Sequence, residues 1–215
     1  MNHFEYVSKK KRAPIKQEII RMLHEVQNTL RKDFTFRYDF VGSDKRNIVT
    51  YDPKTNIGFD FDVNIEINDN EDRFSAKQIK EKIMSAFNQV VQKYKYDFAG
   101  DSTRVITIKV KDQVNAKILH SCDFAIVNNY IDEDGYERQE YIHFNKKQNS
   151  YYWNEQSNGY YLLPEKEEWI KDNEYTEDLR EIYLYKKNTN PCKKKSRSLS
   201  AEAVHETCQR YGYYE

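Results

Sequence analysis

From Gly58 to Ile65 the chain reads Gly-Phe-Asp-Phe-Asp-Val-Asn-Ile, so Asp60 and Asp62 sit two residues apart in an alternating apolar stretch. In a β-strand, residues i and i+2 project from one face about 7 Å apart. Two carboxylates so placed repel each other unless a cation lies between them. Mg²⁺ takes oxygen ligands, commonly one or two carboxylates together with substrate phosphates, so the pair suits a metal-bound triphosphate. The same string also reads as an ordinary polar strand face exposed to water.

Two other strings bear on that choice. Gly42-Ser43 closes a preceding apolar run: glycine lets backbone approach a phosphate closely, and serine adds a hydroxyl beside free N–H groups. In Cys122-Asp123-Phe124-Ala125-Ile126-Val127 a lone carboxylate interrupts an otherwise apolar strand, and an acid so placed needs a partner.

The elements that must carry these residues are legible in the periodicity. Ile15, Ile19, Ile20, Met22, Leu23, Val26 and Leu30 recur at helical spacing, predicting an amphipathic helix that begins just after Pro14. Phe34, Phe36, Tyr38 and Phe40 alternate with polar residues as one strand, and Phe61, Val63, Ile65 and Ile67 alternate as a second. A polar turn over Asn68 to Arg73 leads to Ser75, which has Gln78 three residues on in the manner of a capping box. Ile79, Ile83, Phe87, Val90, Val91 and Tyr94 then keep one helical face. Strands are expected over Thr103 to Val110 and Ile118 to Val127, then around Glu140 to Phe144, Tyr151 to Trp153 and Tyr160 to Leu163. Glu165 to Asn173 and Thr176 to Lys187 read as helices, and Ser198 or Ser200 caps a last one through Cys208.

A strand ending in Gly-Ser, then an Asp-x-Asp strand, a helix, and a single Asp on a later strand is the ordered motif set of the polymerase-β-like nucleotidyltransferase superfamily, which residues 15 to 130 resemble. Val41 before Gly-Ser, Phe59, Phe61 and Val63 around the acid pair, and Phe124 and Ile126 around the third acid supply the apolar positions of that pattern. Tyr161-Leu162-Leu163-Pro164 followed by Trp169 is similar to the segment by which oligoadenylate-synthase-like and bacterial cyclic-oligonucleotide-synthase-like members leave the catalytic sheet. The resemblance implies an α+β (mixed α/β) fold with a twisted central sheet backed by helices at 15–31 and 75–96, and a small aromatic and helical C-terminal region. It implies that Asp60 and Asp62 coordinate two Mg²⁺ or Mn²⁺ ions, with Asp62 bridging both. Asp123 would complete the ion at the acceptor hydroxyl or take its proton, and Gly42 and Ser43 would hold the β- and γ-phosphates. The implied reaction moves a nucleoside monophosphate from an NTP such as ATP to a hydroxyl and releases pyrophosphate. The first acceptor expected is another nucleotide, in second-messenger synthesis for antiviral (phage) defence, with RNA as an alternative.

Composition narrows the classes. Lys plus Arg and Asp plus Glu both number 35, so a whole-molecule basic field for nucleic acid is excluded. Aromatic residues make up 14% of 215 residues, which sets the chain apart from aromatic-poor disordered sequences and allows a core. No apolar run approaches a bilayer span, so no membrane partner is expected. Cys122, Cys192 and Cys208 are an odd set without metal spacing, which fits a reducing cytoplasm. The expected organisation is a basic N-terminal segment 1–14, a catalytic domain 15–165 and a helical extension 166–215 with a basic loop.

Several residues carry two readings. Lys186, Lys187, Lys193, Lys194, Lys195 and Arg197, with no acid among them, form either an arm over phosphates, with Lys193 and Lys194 as contacts, or a solvated loop. Arg104 is a phosphate contact or a surface residue. Tyr151, Tyr152, Trp153, Tyr160 and Tyr161 are a base-stacking platform or, more often, core. His120 and Cys122 beside Asp123 lack a second pair at zinc spacing, and Cys122 is expected to be a small core residue. Two rival classes keep the chain without turnover: a nucleotide-sensing protein on the same fold, and a nucleic-acid-binding module.

Overall fold

The computed structural model describes residues 2–55, 57–69 and 73–213. In chain order the elements are β1 (Glu5–Tyr6), α1 (Lys9–Leu30), β2 (Thr35–Val41), α2 (Gly42–Lys45), β3 (Thr50–Tyr51) and β4 (Phe59–Asn68). α3 (Ala76–Val90) runs into a 3₁₀ turn at Val91–Tyr94, followed by β5 (Gly100–Asp101), β6 (Val105–Asp112), β7 (Lys117–Ile131), β8 (Glu137–Asn145) and β9 (Ser150–Glu155). Three helices close the chain: α4 (Asn158–Asp172), α5 (Thr176–Thr189) and α6 (Ser196–Tyr211). Contacts divide these into two compact units, one of Val7–Val49 with Asn56–Gln156, the other of Met1–Tyr6, Thr50–Thr55 and Ser157–Glu215.

The larger unit is a seven-stranded mixed sheet in the order β2-β4-β7-β6-β5, with β8 paired to the far end of β7 and β9 to β8. β4 and β7 run parallel, and the other pairs are antiparallel. Alternation sets the faces: Phe59, Phe61, Val63 and Ile65 of β4 are buried, while Asp60 between them is exposed and Asp62 half-buried. The apolar face packs on the helices through Ile19, Met22, Leu23 and Val26 of α1 and Ile79, Ile83, Phe87 and Val90 of α3, all buried. The Phe87 and Phe124 rings meet at 4.4 Å. The predicted capping box forms: Gln78 N–H donates to Ser75 Oγ at 3.4 Å and Ser75 N–H donates to Gln78 Oε1 at 2.9 Å.

Three expectations are corrected. Helix α1 begins at Lys9 and carries Pro14 inside it, because Ser8 caps it by accepting from Lys11 N–H at 3.2 Å. The basic run Lys9 to Arg12 has no apolar periodicity, so only the structure reveals that turn. Tyr160 to Leu163, expected as a strand, is helical and continuous with the Glu165 to Asn173 helix, with Pro164 inside α4. A four-residue apolar and aromatic run does not distinguish strand from helix by itself. The last helix starts at Ser196, before Ser198 and Ser200, and Ser200 is buried. Within the expected 68–73 turn, residues 70–72 lie outside the described residues.

The smaller unit packs α5 on α6 through Leu179, Ile182, Leu199, Ala203 and Val204, all buried. Aromatic pairs close it: Tyr175 stacks on Tyr211 at 3.8 Å and Trp169 meets Tyr213 edge-on at 5.1 Å. β1 pairs with β3, and Tyr6 Oη donates to the Arg180 carbonyl at 2.6 Å. Among the described residues no helix is long and apolar enough to cross a membrane.

Candidate active site

Register brings the three acids of the larger unit together. Asp62 and Asp123 are directly paired across the parallel β4–β7 ladder, where strands lie about 4.8 Å apart. Asp60 stands one step of the pleat before Asp62 on the same face, opposite Ser121. Val41, the last residue of β2, pairs with Asp62, so the Gly42–Lys45 turn starts beside that carboxylate. Gly42 has φ +63°, and a side-chain carbon there would fall on the Asp62 carboxyl group, 2.9 Å from its Cγ. Both the left-handed backbone and the close approach require glycine. Ser43 N–H donates to the Asp62 carboxylate.

The turn is fixed from behind by α1. Arg12, almost wholly buried, pairs with Asp44 and donates to Asn47 Oδ1 at 2.5 Å, and Lys16 Nζ reaches Asp44 at 2.7 Å. These residues belong to the site's support, and sequence reasoning missed them. Charged residues in an apolar-poor turn give no periodicity to betray a buried ion pair.

The electrostatics show three carboxylates crowded on one face and only partly compensated. The Asp62 carboxyl is pushed up to about 6, first by burial, then by Asp123 and Asp60, against the Ser43 N–H and Arg46. Asp123 is also raised, first by burial, while a 2.6 Å hydrogen bond donated by Thr107 Oγ1 pulls the other way. Ser121 Oγ donates to Asp60. A divalent cation would relieve this repulsion, and the all-oxygen donor set suits a hard ion. Among the described residues, no three His, Cys, Asp or Glu side chains stand close enough together to hold an ion as they are.

The remaining sequence candidates are placed as follows. Arg104 lies just before β6, with its guanidinium on the Tyr141 ring and donating to Tyr141 Oη at 2.5 Å. Lys193 and Lys194 belong to the smaller unit. There the basic stretch is folded: Lys186 pairs with Glu206 at 2.8 Å, Lys194 with Glu202 at 2.7 Å, and Lys187 is buried against the Phe4 ring at 3.9 Å. Cys122 is wholly buried and burial pushes its thiol well up, so it is an inert core residue. His120 stacks on Phe59, accepts or donates at 2.9 Å with Tyr96 Oη, and is driven down to about 4 by burial. Tyr151 stacks on Phe144 at 4.4 Å and donates to Asp101, which makes it a packing residue.

No family model matches this chain, and no curated protein matches its sequence. Solved structures match by shape. The STING-associated CdnE c-di-GMP synthase from Capnocytophaga granulosa superposes with a TM-score of 0.63 at 15% identity, over 98% of this chain and 64% of that one. The chain has the fold of the cyclic-dinucleotide synthases. The Vibrio cholerae DncV cyclic AMP-GMP synthase, in complex with its linear intermediate, gives 0.64 at 9% identity over 94% of this chain and 68% of its own. The Elizabethkingia meningoseptica CdnE cyclic dinucleotide synthase with GTP and Apcpp gives 0.51 at 13% identity over 92% and 68%. At such identities the likeness is one of fold, and it is the fold that the motif order implied. The chain spans 64% of the length of the Capnocytophaga synthase.

Proposed function

We propose that this chain is a divalent-metal-dependent nucleotidyltransferase that joins nucleotides into an oligonucleotide or cyclic dinucleotide second messenger, with a role in defence against phage. The observation that carries the reading is the trio Asp60, Asp62 and Asp123 on paired strands beside the Gly42–Ser43 turn, within a fold shared with cyclic-dinucleotide synthases. A protein that only sensed nucleotides would have no need to crowd three carboxylates on one sheet face.

Asp60, Asp62 and Asp123 would hold Mg²⁺ or Mn²⁺. When bound, two such ions neutralise charge on the attacking oxygen and the leaving pyrophosphate. The chain's own groups do the rest. Gly42 lets the backbone approach the β- and γ-phosphates, and Ser43 offers its hydroxyl to them. The acceptor hydroxyl would attack the α-phosphorus as the bond from phosphorus to the pyrophosphate oxygen breaks, and Asp123 would either take the hydroxyl proton or act only as an ion ligand. In the smaller unit, Lys193 and Lys194 line a concavity of about 340 Å³ with Asn2, Phe4, Lys187 and Ser196, and we read it as a further anion contact. The acceptor we favour is a second nucleotide, with RNA as the competing substrate.

The test is incubation with Mg²⁺ or Mn²⁺ and each labelled NTP, singly and in pairs, followed by chromatography of products and assay of pyrophosphate. Pyrophosphate and a joined nucleotide are expected, and Asp60→Asn with Asp62→Asn should cut the rate by about a thousandfold or more, equivalent to about 4 kcal/mol of transition-state stabilisation. No pyrophosphate with any NTP, together with no metal-dependent NTP binding, overturns the reading.

A further inference from the structure

Each of the three carboxylates is held by one donor from the adjoining element. Ser121 on β7 donates its hydroxyl to Asp60 on β4, and Thr107 on β6 donates to Asp123 on β7 at 2.6 Å. Ser43 N–H serves Asp62. The register builds this pattern: Asp60 faces Ser121 and Asp62 faces Asp123 across one ladder, and Asp123 faces Thr107 across the next. Donor and acceptor thus alternate along neighbouring strands of one sheet face.

Such donors do more than satisfy polar atoms. An ionised carboxylate offers about four lone-pair sites, so one hydroxyl fixes the rotation of the group and leaves the others free. An aspartate among like charges would otherwise turn its oxygens away from its neighbours. Groups that orient metal ligands in this way raise affinity by ordering the ligand beforehand.

We propose that Thr107 and Ser121 are positioning residues for a divalent cation, fixing the rotation of Asp123 and Asp60 so that these carboxylates meet the ion already ordered. The proposal rests on the reading that Asp60, Asp62 and Asp123 bind that ion. Thr107 and Ser121 themselves would touch neither substrate nor ion. Their effect is carried wholly by the carboxylates they orient.

The experiment is Mn²⁺ titration, by calorimetry or electron paramagnetic resonance, of the full chain and of Thr107→Val, Thr107→Ser, Ser121→Ala and Asp62→Asn, with thermal melts in chelator alongside. Thr107→Val and Ser121→Ala should each weaken Mn²⁺ binding about 10- to 100-fold, whereas Thr107→Ser, which keeps the hydroxyl, should stay within about threefold of the parent. A merely structural hydrogen bond would shift the melts and leave Mn²⁺ affinity unchanged. Should Thr107→Val fail to fold, Ser121→Ala carries the test, since it deletes only a hydroxyl. Parent-like Mn²⁺ affinity in the folded Val and Ala variants, with binding lost in Asp62→Asn, overturns the positioning role and leaves the functional reading standing. A parent that binds no Mn²⁺, or an Asp62→Asn variant that binds it equally, overturns both.

Discussion

Asp62 sits between the buried side chains of Phe61 and Val63, and burial together with Asp123 and Asp60 pushes its carboxyl up to about 6. In the unfolded chain the same group titrates near 3.9. Between about pH 4 and pH 6 the unfolded chain has lost this proton while the folded chain keeps it, so stability falls as pH rises through that window. The full cost, reached above about pH 6, is at most about 3 kcal/mol. Asp62→Asn keeps the acceptor for Ser43 N–H and removes the charge. In chelator it should therefore melt several degrees above the parent at about pH 7.5 and gain nothing near pH 4. Melting curves at both pH values decide it: an equal gain at each, or no gain at neutral pH, would refute the burial of an incompletely compensated anion. Stability sacrificed at a carboxylate in this way is expected of a site selected for binding rather than for folding.

At the scale of elements, α3 is fastened to the sheet margin by a buried charge. Lys80, 1% exposed, reaches Asp101 of β5 at 2.7 Å and the Ser102 carbonyl at 2.9 Å, while Tyr151 of β9 donates to Asp101 at 2.7 Å. The rings of Tyr151 and Phe144 lie 5.6 and 5.8 Å from the ammonium. Lys80→Ala leaves Asp101 without its cation and should cost about 3–5 kcal/mol in urea unfolding, whereas Lys80→Met, which keeps the volume, should cost less when paired with Asp101→Asn. A loss under about 1 kcal/mol for Lys80→Ala would show the pair to be screened by water. Lys80 was invisible in the sequence because it occupies a lysine-rich helix whose apolar face is set by Ile79, Ile83 and Phe87. By contrast β4 announced itself, since Phe61, Val63 and Ile65 alternate with polar residues and only the register with β7 remained to be found. The three acids were legible because carboxylates in strands demand a chemical reason. Thr107 and Ser121 were not, because hydroxyls are common in strands and only cross-strand pairing gives these two a partner. At Tyr160 to Leu163 local aromatic content favours strand, and the surrounding helix α4 prevails.

For the whole molecule, the even balance of 35 basic and 35 acidic residues leaves no broad basic field, so any polyanion must be met locally. All three acids and their donors lie in the larger unit, whereas Lys193 and Lys194 lie in the smaller one. The smaller unit also holds the N-terminal segment: Phe4 exchanges hydrogen bonds with Asn188 at 2.7 and 3.1 Å, and its ring covers Lys187. Stopping the chain after Gln156 removes those partners and the lysines but leaves α1, α3 and the seven-stranded sheet intact in sequence. The shortened protein should keep the β-rich circular dichroism of its sheet and bind Mn²⁺ within about threefold of the full chain, because the carboxylates and their hydroxyl donors are all retained. If the folded shortened chain fails to bind Mn²⁺, the ion site is not confined to the larger unit.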